Sequence, residues 1–140
     1  MRITGGAWRG RRLKPLKSFK GRPTTDFARE GLFNLLRSRV KLGEARVLDL
    51  FAGTGSFGLD CISRGSAKVY FVEKYDQSIE ILQKNIKKLK CEKKTQVFNE
   101  DVFYLFNYEK FKNDKIDLIF LDPPYKEENI KVILENIYKS

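Results

Sequence analysis

The stretch that decides the fold runs Asp49-Leu50-Phe51-Ala52-Gly53-Thr54-Gly55-Ser56-Phe57-Gly58. An apolar run, Ala45–Leu50, reads as a strand that ends in an acid. The glycines then repeat as G-x-G-x-x-G, and a helix is expected to follow and close near Gly65. Gly53 and Gly55 let the backbone turn sharply and approach a ligand closely. The glycine spacing alone matches the dinucleotide fingerprint, but Asp49 changes its meaning. A carboxylate there would repel a pyrophosphate and suit a cationic ammonium group. A tight strand-to-helix turn without a ligand is the plain alternative.

Outward from this turn the chain alternates strand and helix. Ala67–Glu73 reads as a second strand. Asp76 is expected to cap a helix carrying Ile79, Leu82, Ile86 and Leu89 at helical spacing. Thr95–Phe98 is a third strand, and Lys115–Leu121 a fourth. A last helix carries Ile130, Ile133, Leu134 and Ile137. Such alternation predicts a mostly parallel sheet with helices on both faces. Ligands in such folds sit beyond the carboxyl ends of the strands. Asp49, Glu73, Asp101 and Asp122 each fall at such an end.

These acids suit distinct tasks. Glu73, 20 residues beyond Gly53, can accept hydrogen bonds from both hydroxyls of a ribose; the plain alternative is a surface pair with Lys74. Asp101 can accept a hydrogen bond from an adenine amino group. Asp122-Pro123-Pro124-Tyr125 is the most specific motif. Two prolines fix φ and remove two N–H donors, leaving a rigid rim of acceptors. The Asp122 carboxylate and the Pro123 carbonyl can each take a hydrogen from a base amino group. That would aim the nitrogen lone pair at an incoming methyl group. Tyr125 can stack on a base turned out of its helix. S-adenosylmethionine, with its amino acid moiety and sulfonium cation, is the cofactor these acids suit.

Charge is unevenly distributed. The net charge is +10, and residues 1–41 hold 12 Lys/Arg against only Asp26 and Glu30. The remaining 99 residues hold 16 of each sign. The basic block is a candidate phosphate-binding surface, with a solvated tail as the alternative. Residues 1–22 read as loop or short strands. Pro23-Thr24-Thr25-Asp26 reads as a helix entry, followed by Ala28, Leu32, Leu35, Leu36 and Val40 at helical spacing. The absence of histidine removes Ser-His-Asp, Cys-His and His-metal chemistry. Cys61 and Cys91 have no zinc spacing and are expected to be ordinary reduced thiols. No metal is expected. No apolar run is long enough for a membrane span, and the basic N-terminus lacks the apolar stretch of a secretory signal. The cytoplasm is the expected location.

DLFAGTGSFG, FVEK, NED and LDPPY, in this order, resemble the class I, Rossmann-like S-adenosylmethionine methyltransferases that modify amino groups. MRITGGAWRGRRL and GRPTTDFAREGLFNLL narrow the resemblance to the bacterial 16S rRNA guanine-N2 methyltransferase family that acts on guanine 966 of the small subunit. The resemblance covers essentially the whole chain, with RPTTDFAREGLFN its most specific segment. It implies cofactor contacts at Asp49, Gly53, Gly55, Glu73, Asp101 and Thr24. It implies an amino-group pocket at Asp122, Pro123 and Tyr125. Arg2, Arg9, Arg11, Arg12 and Arg22 would grip 16S rRNA or an assembling small subunit. Residues 1–140 are thus expected to form a single methyltransferase domain. Residues 1–41 would be its basic RNA-binding segment and helix, and 45–140 its Rossmann-like core. The family fold continues with further strands, so the expected fold is truncated after the fourth strand and its helix, or completed by another copy. A DNA adenine-N6 or cytosine-N4 methyltransferase, and a non-catalytic RNA-binding scaffold, are the competing readings.

Overall fold

The computed structural model describes residues 1–16, 25–102 and 115–123. Four strands form one parallel sheet: β1 (Arg46–Leu50), β2 (Lys68–Val72), β3 (Thr95–Phe98) and β4 (Leu118–Leu121), in the order β3-β2-β1-β4. Both inner strands are flanked on two sides and are buried for four of their five residues. This is why they read as unbroken apolar runs rather than as alternating ones. Asp49 lies opposite Phe71 of β2 and Phe120 of β4, so the carboxyl ends of these three strands finish at one level. The expected helix at the C-terminal end of the chain lies outside the described residues.

Helix α1 spans Asp26–Leu36, α2 Ser56–Ser63 and α3 Asp76–Leu89. Alternation along β1 sends Val47 and Asp49 to the face these helices cover, and Leu48 and Leu50 to the other. Val47 joins Leu59, Leu82 and Ile86 in one core, while Leu48 and Leu50 join Tyr70, Val72 and Val102 in a second. Two details of the helices differ from expectation. Thr25 does cap α1, accepting from the Ala28 amide at 3.0 Å, but Ala28 and Leu35 face solvent. Arg29 and Phe33 are buried instead. Asp76 is the first residue of α3 rather than its cap, and its carboxylate accepts from the Asn99 side chain at 2.8 Å.

The burial of Arg29 follows from its partners. Asp60 of α2 is fully buried and accepts from Arg29 Nε at 2.8 Å and from Arg64 Nε at 3.3 Å. The Thr4 amide and hydroxyl also donate to it, at 3.1 and 2.9 Å. Arg29 reaches on to Asp26 at 2.8 Å and to the Arg2 carbonyl. Residues 1–16 are therefore no solvated tail. Their backbone closes an antiparallel turn, with Arg2 bridged to Arg12 and with Ile3 and Leu13 in the core. Arg29 itself leaves the phosphate-facing charge count, because it is buried and paired. The Arg64 guanidinium also lies 4.0 Å over the ring of Phe33, which stacks on Phe57 at 5.0 Å. Phe57 stacks in turn on Phe120 of β4 at 3.8 Å.

Removing one partner of a buried ion pair strands the other charge. Arg29→Ala is expected to destabilise the fold by about 3–5 kcal/mol in urea titration and to make residues 1–16 the first site of proteolysis. A loss below about 1 kcal/mol would mean that the pair does not hold the arm.

Candidate active site

The site is built at the carboxyl edge of β1, β2 and β4. After Leu50 the chain enters a turn in which Phe51, Gly53 and Gly55 all have positive φ, at 56°, 59° and 87°. A non-glycine residue in that region carries strain, held here by Phe51 packing against the second core. The glycines differ in their reasons. A side chain added at Gly53 would meet nothing within 4 Å, so this position opens onto free space. One at Gly55 would lie 2.2 Å from Leu82, and one at Gly58 2.3 Å from Phe71. Gly58 thus lets α2 settle directly on β2, and Gly53 lets the turn present bare backbone.

Glu73 holds this turn in place. It is buried, and its two carboxylate oxygens accept from the Gly53 amide at 2.8 Å and the Tyr75 amide at 3.0 Å. Asp49 is buried beneath the same turn and accepts from the Gly58 amide at 3.1 Å. Burial pushes its carboxyl up to about 8. The Gly58 hydrogen bond opposes this, and the nearby Asp122 and Glu73 carboxylates add to it. Asp122 is exposed and Pro123 half-buried, where β4 leaves the sheet beside β1. Asp101 is half-buried just beyond β3. Asp49, Gly53, Gly55, Glu73 and Asp122 thus gather at one edge. Thr24, Arg22 and Tyr125 lie outside the described residues.

Asp122 and Glu73, the acids whose charge bears on Asp49, favour a cationic ligand at this edge and disfavour a phosphate. No group of acids and thiols able to hold a metal occurs among the described residues. Both cysteines are buried, and burial pushes the Cys91 thiol up to about 11 and the Cys61 thiol well above its ordinary value.

Sequence reasoning missed Asn85. It is buried on α3, accepts from the Lys14 amide at 2.7 Å, and donates to the Lys14 carbonyl and to the Thr54 carbonyl at 3.2 and 3.1 Å. One side chain therefore ties the basic arm to the glycine turn. Its signal was a lone amide inside the apolar stripe of Leu82, Ile86 and Leu89, where a buried polar group requires partners.

A buried carboxyl that is mostly protonated at neutral pH must release its proton to meet a cation. Affinity for a cationic ligand that pairs with Asp49 is therefore expected to rise from about pH 6 to 7.5 by up to about tenfold per unit, and Asp49→Asn to flatten that rise while weakening binding. The same raised pKa means that the stability held by neutral Asp49 is complete below the unfolded value of 3.8 and is lost as pH climbs towards 8. Asp49→Asn should accordingly raise the thermal midpoint more at about pH 8 than at about pH 5. A flat wild-type affinity profile would contradict this picture.

Comparison with known proteins places the geometry. Residues 1–140 match the family model described as conserved hypothetical protein 95. Ribosomal RNA small subunit methyltransferase D of Haemophilus influenzae is 37% identical over 141 residues, covering 97% of this chain and 72% of that protein. The Escherichia coli K12 protein of the same name is 36% identical over 140 residues, covering 97% of this chain and 68% of its own. A solved structure of a hypothetical protein from Thermus thermophilus superposes with a TM-score of 0.82 at 28% identity, over 99% of this chain and 77% of that one. The C-terminal domain of a Rhodobacter capsulatus precorrin-6Y C5,15-methyltransferase, at 16% identity and a TM-score of 0.67, shares the fold alone, which is the Rossmann-like class I methyltransferase fold. The family resemblance carried by RPTTDFAREGLFN and LDPPY is met over the whole chain, and this protein belongs to the conserved hypothetical protein 95 family, alongside the small-subunit rRNA methyltransferase D proteins.

Proposed function

We propose that this protein transfers a methyl group from S-adenosylmethionine to the N2 amino group of a guanine in 16S rRNA of the small ribosomal subunit. The observation that carries the reading is the placement of Asp122-Pro123 at the end of β4, directly beside the Asp49 strand and its glycine turn. Acceptors for an amino group and a cluster of acids beside the open turn at Gly53 then share one edge. The matched relatives are named as small-subunit rRNA methyltransferases, which supports the nucleic-acid substrate.

The residues fit the cofactor. Gly53 presents open space bordered by backbone, and the charges that bear on the buried Asp49 carboxyl are those of two other acids, Asp122 and Glu73. Asp49 would balance the ammonium or sulfonium charge, Glu73 would meet the ribose, and Asp101 the adenine amino group. Gly55 and Thr24 would border the same space. S-adenosylmethionine supplies an activated methyl group, so the protein's share is binding and orientation. Asp122 and the Pro123 carbonyl would accept the two N2 hydrogens and turn the nitrogen lone pair away from the ring. Asp122 would balance the positive charge on the methylated amine until its proton passes to solvent water. Tyr125 would stack on the base. Exposed Arg2, Arg9, Arg11 and Arg12, with Arg22, would contact the RNA backbone.

Removing one preorganised electrostatic partner commonly costs about 10²–10³ in rate. Asp122→Ala is expected to lower transfer of labelled methyl to unmethylated 16S rRNA by that factor, while the affinity for RNA stays within about twofold. Label is expected in 16S rRNA and absent from unmethylated DNA. Label in DNA would favour the DNA amino-methyltransferase reading, and RNA binding with no transfer the scaffold reading.

A further inference from the structure

The sequence count makes residues 42–140 electrically neutral, but the fold sorts their charges. On α3 the acids Asp76 and Glu80 occupy the first half, and Lys84, Lys87 and Lys88 the second. The arm docks on this second half. Asn85 brackets the Lys14 backbone, Lys88 Nζ donates to the Arg12 carbonyl at 2.8 Å, and Arg11 donates to the Lys88 carbonyl at 3.4 Å. Lys84 and Lys88 sit one turn apart, so they share a row along the side of α3 nearest the arm. Arg11, Arg12, Lys14, Lys84 and Lys88 are all exposed. The acid paired within this group is Glu80, bridged to Lys84 at 3.2 Å between two exposed side chains, an interaction of little strength.

We infer that the arm and the second half of α3 form one track for RNA phosphates, with Lys84 and Lys88 as backbone contacts alongside Arg11, Arg12 and Lys14. Like charges drawn together repel, and a bound polyanion relieves that repulsion. Part of the arrangement serves α3 itself, since cations suit a helix C-terminus. That role uses one donor of Arg11, and the Arg12 carbonyl takes one donor of Lys88, so each side chain keeps others for a phosphate. The track begins at Asn85, which also touches the glycine turn, and runs down α3 away from it. It would hold the RNA flanking a target base while that base reaches the carboxyl edge. Arg9, by contrast, turns towards Glu30 of α1 at 3.9 Å, so the arm's arginines do not act as one cluster. This inference rests on the rRNA reading above.

The test is the affinity of a 16S rRNA transcript for Lys84→Gln/Lys88→Gln protein across a salt series, with Lys93→Gln/Lys94→Gln as a control of equal charge loss elsewhere. Each lost phosphate contact lowers the slope of log affinity against log salt by about 0.7–0.9. The expected result is a slope shallower by about 1–2, binding weaker by about tenfold at moderate salt, raised KM for RNA and unchanged S-adenosylmethionine affinity. Lys84→Arg/Lys88→Arg should keep most of the binding, because arginine retains the charge and a donor for the Arg12 carbonyl. An unchanged slope, or an equal loss in the control, would overturn the track. Failure of the rRNA reading looks different: wild-type protein would then neither methylate nor preferentially bind the transcript.

Discussion

Asp60 is sealed from water, and Arg29, Arg64 and Thr4 converge on it from α1, the end of α2 and the arm. A lone carboxylate could not be buried there, so the three segments are obliged to meet. Such a pair adds little net stability over an apolar replacement, yet is costly to break from one side. Its effect is to fix the position of the segment carrying Arg11 and Arg12. The same Arg64 begins a stack through Phe33 and Phe57 to Phe120, two residues before Asp122. The arm and β4, the strand that leads into Asp122, are therefore seated against one packed column.

On this frame charge is arranged in two zones. Acids line the carboxyl edge, where Asp49 and Glu73 are buried under the glycine turn and Asp122 stands at its rim. Cations lie outward, on the arm and along α3. On the proposed reading, the inner acids would repel phosphates and suit a cationic methyl donor, while the outer zone would do the reverse. A polyanion would then be gripped without its backbone entering the site. Asn85 joins the two zones through hydrogen bonds to Lys14 and Thr54.

Local patterns were legible in the sequence. β3 matched its expected span, and β1, β2 and β4 lie inside theirs; the inner pair, β1 and β2, read as plain apolar runs because both their faces are covered. Asp49, Gly53, Gly55, Glu73 and Asp122 could be picked out because each follows or closes a strand. Long-range pairing was not legible. Nothing in the order of residues announces that Arg29 is buried, since its partners stand 31 and 27 positions away. For the same reason the exposed stripe of α1 was misplaced: an arginine carried the buried face that a leucine was expected to hold. The neutral tally of residues 42–140 likewise concealed the lysine row of α3, which acquires meaning only beside the arm.

The most direct test of the account is the chemical identity of the product. Protein, S-adenosylmethionine and unmethylated small subunits or free 16S rRNA would be incubated, the RNA digested to nucleosides, and the methylated species identified by mass. The account predicts N2-methylguanosine from a single position. A methyl group on adenine or cytosine, or methylation spread over many guanines, would contradict it.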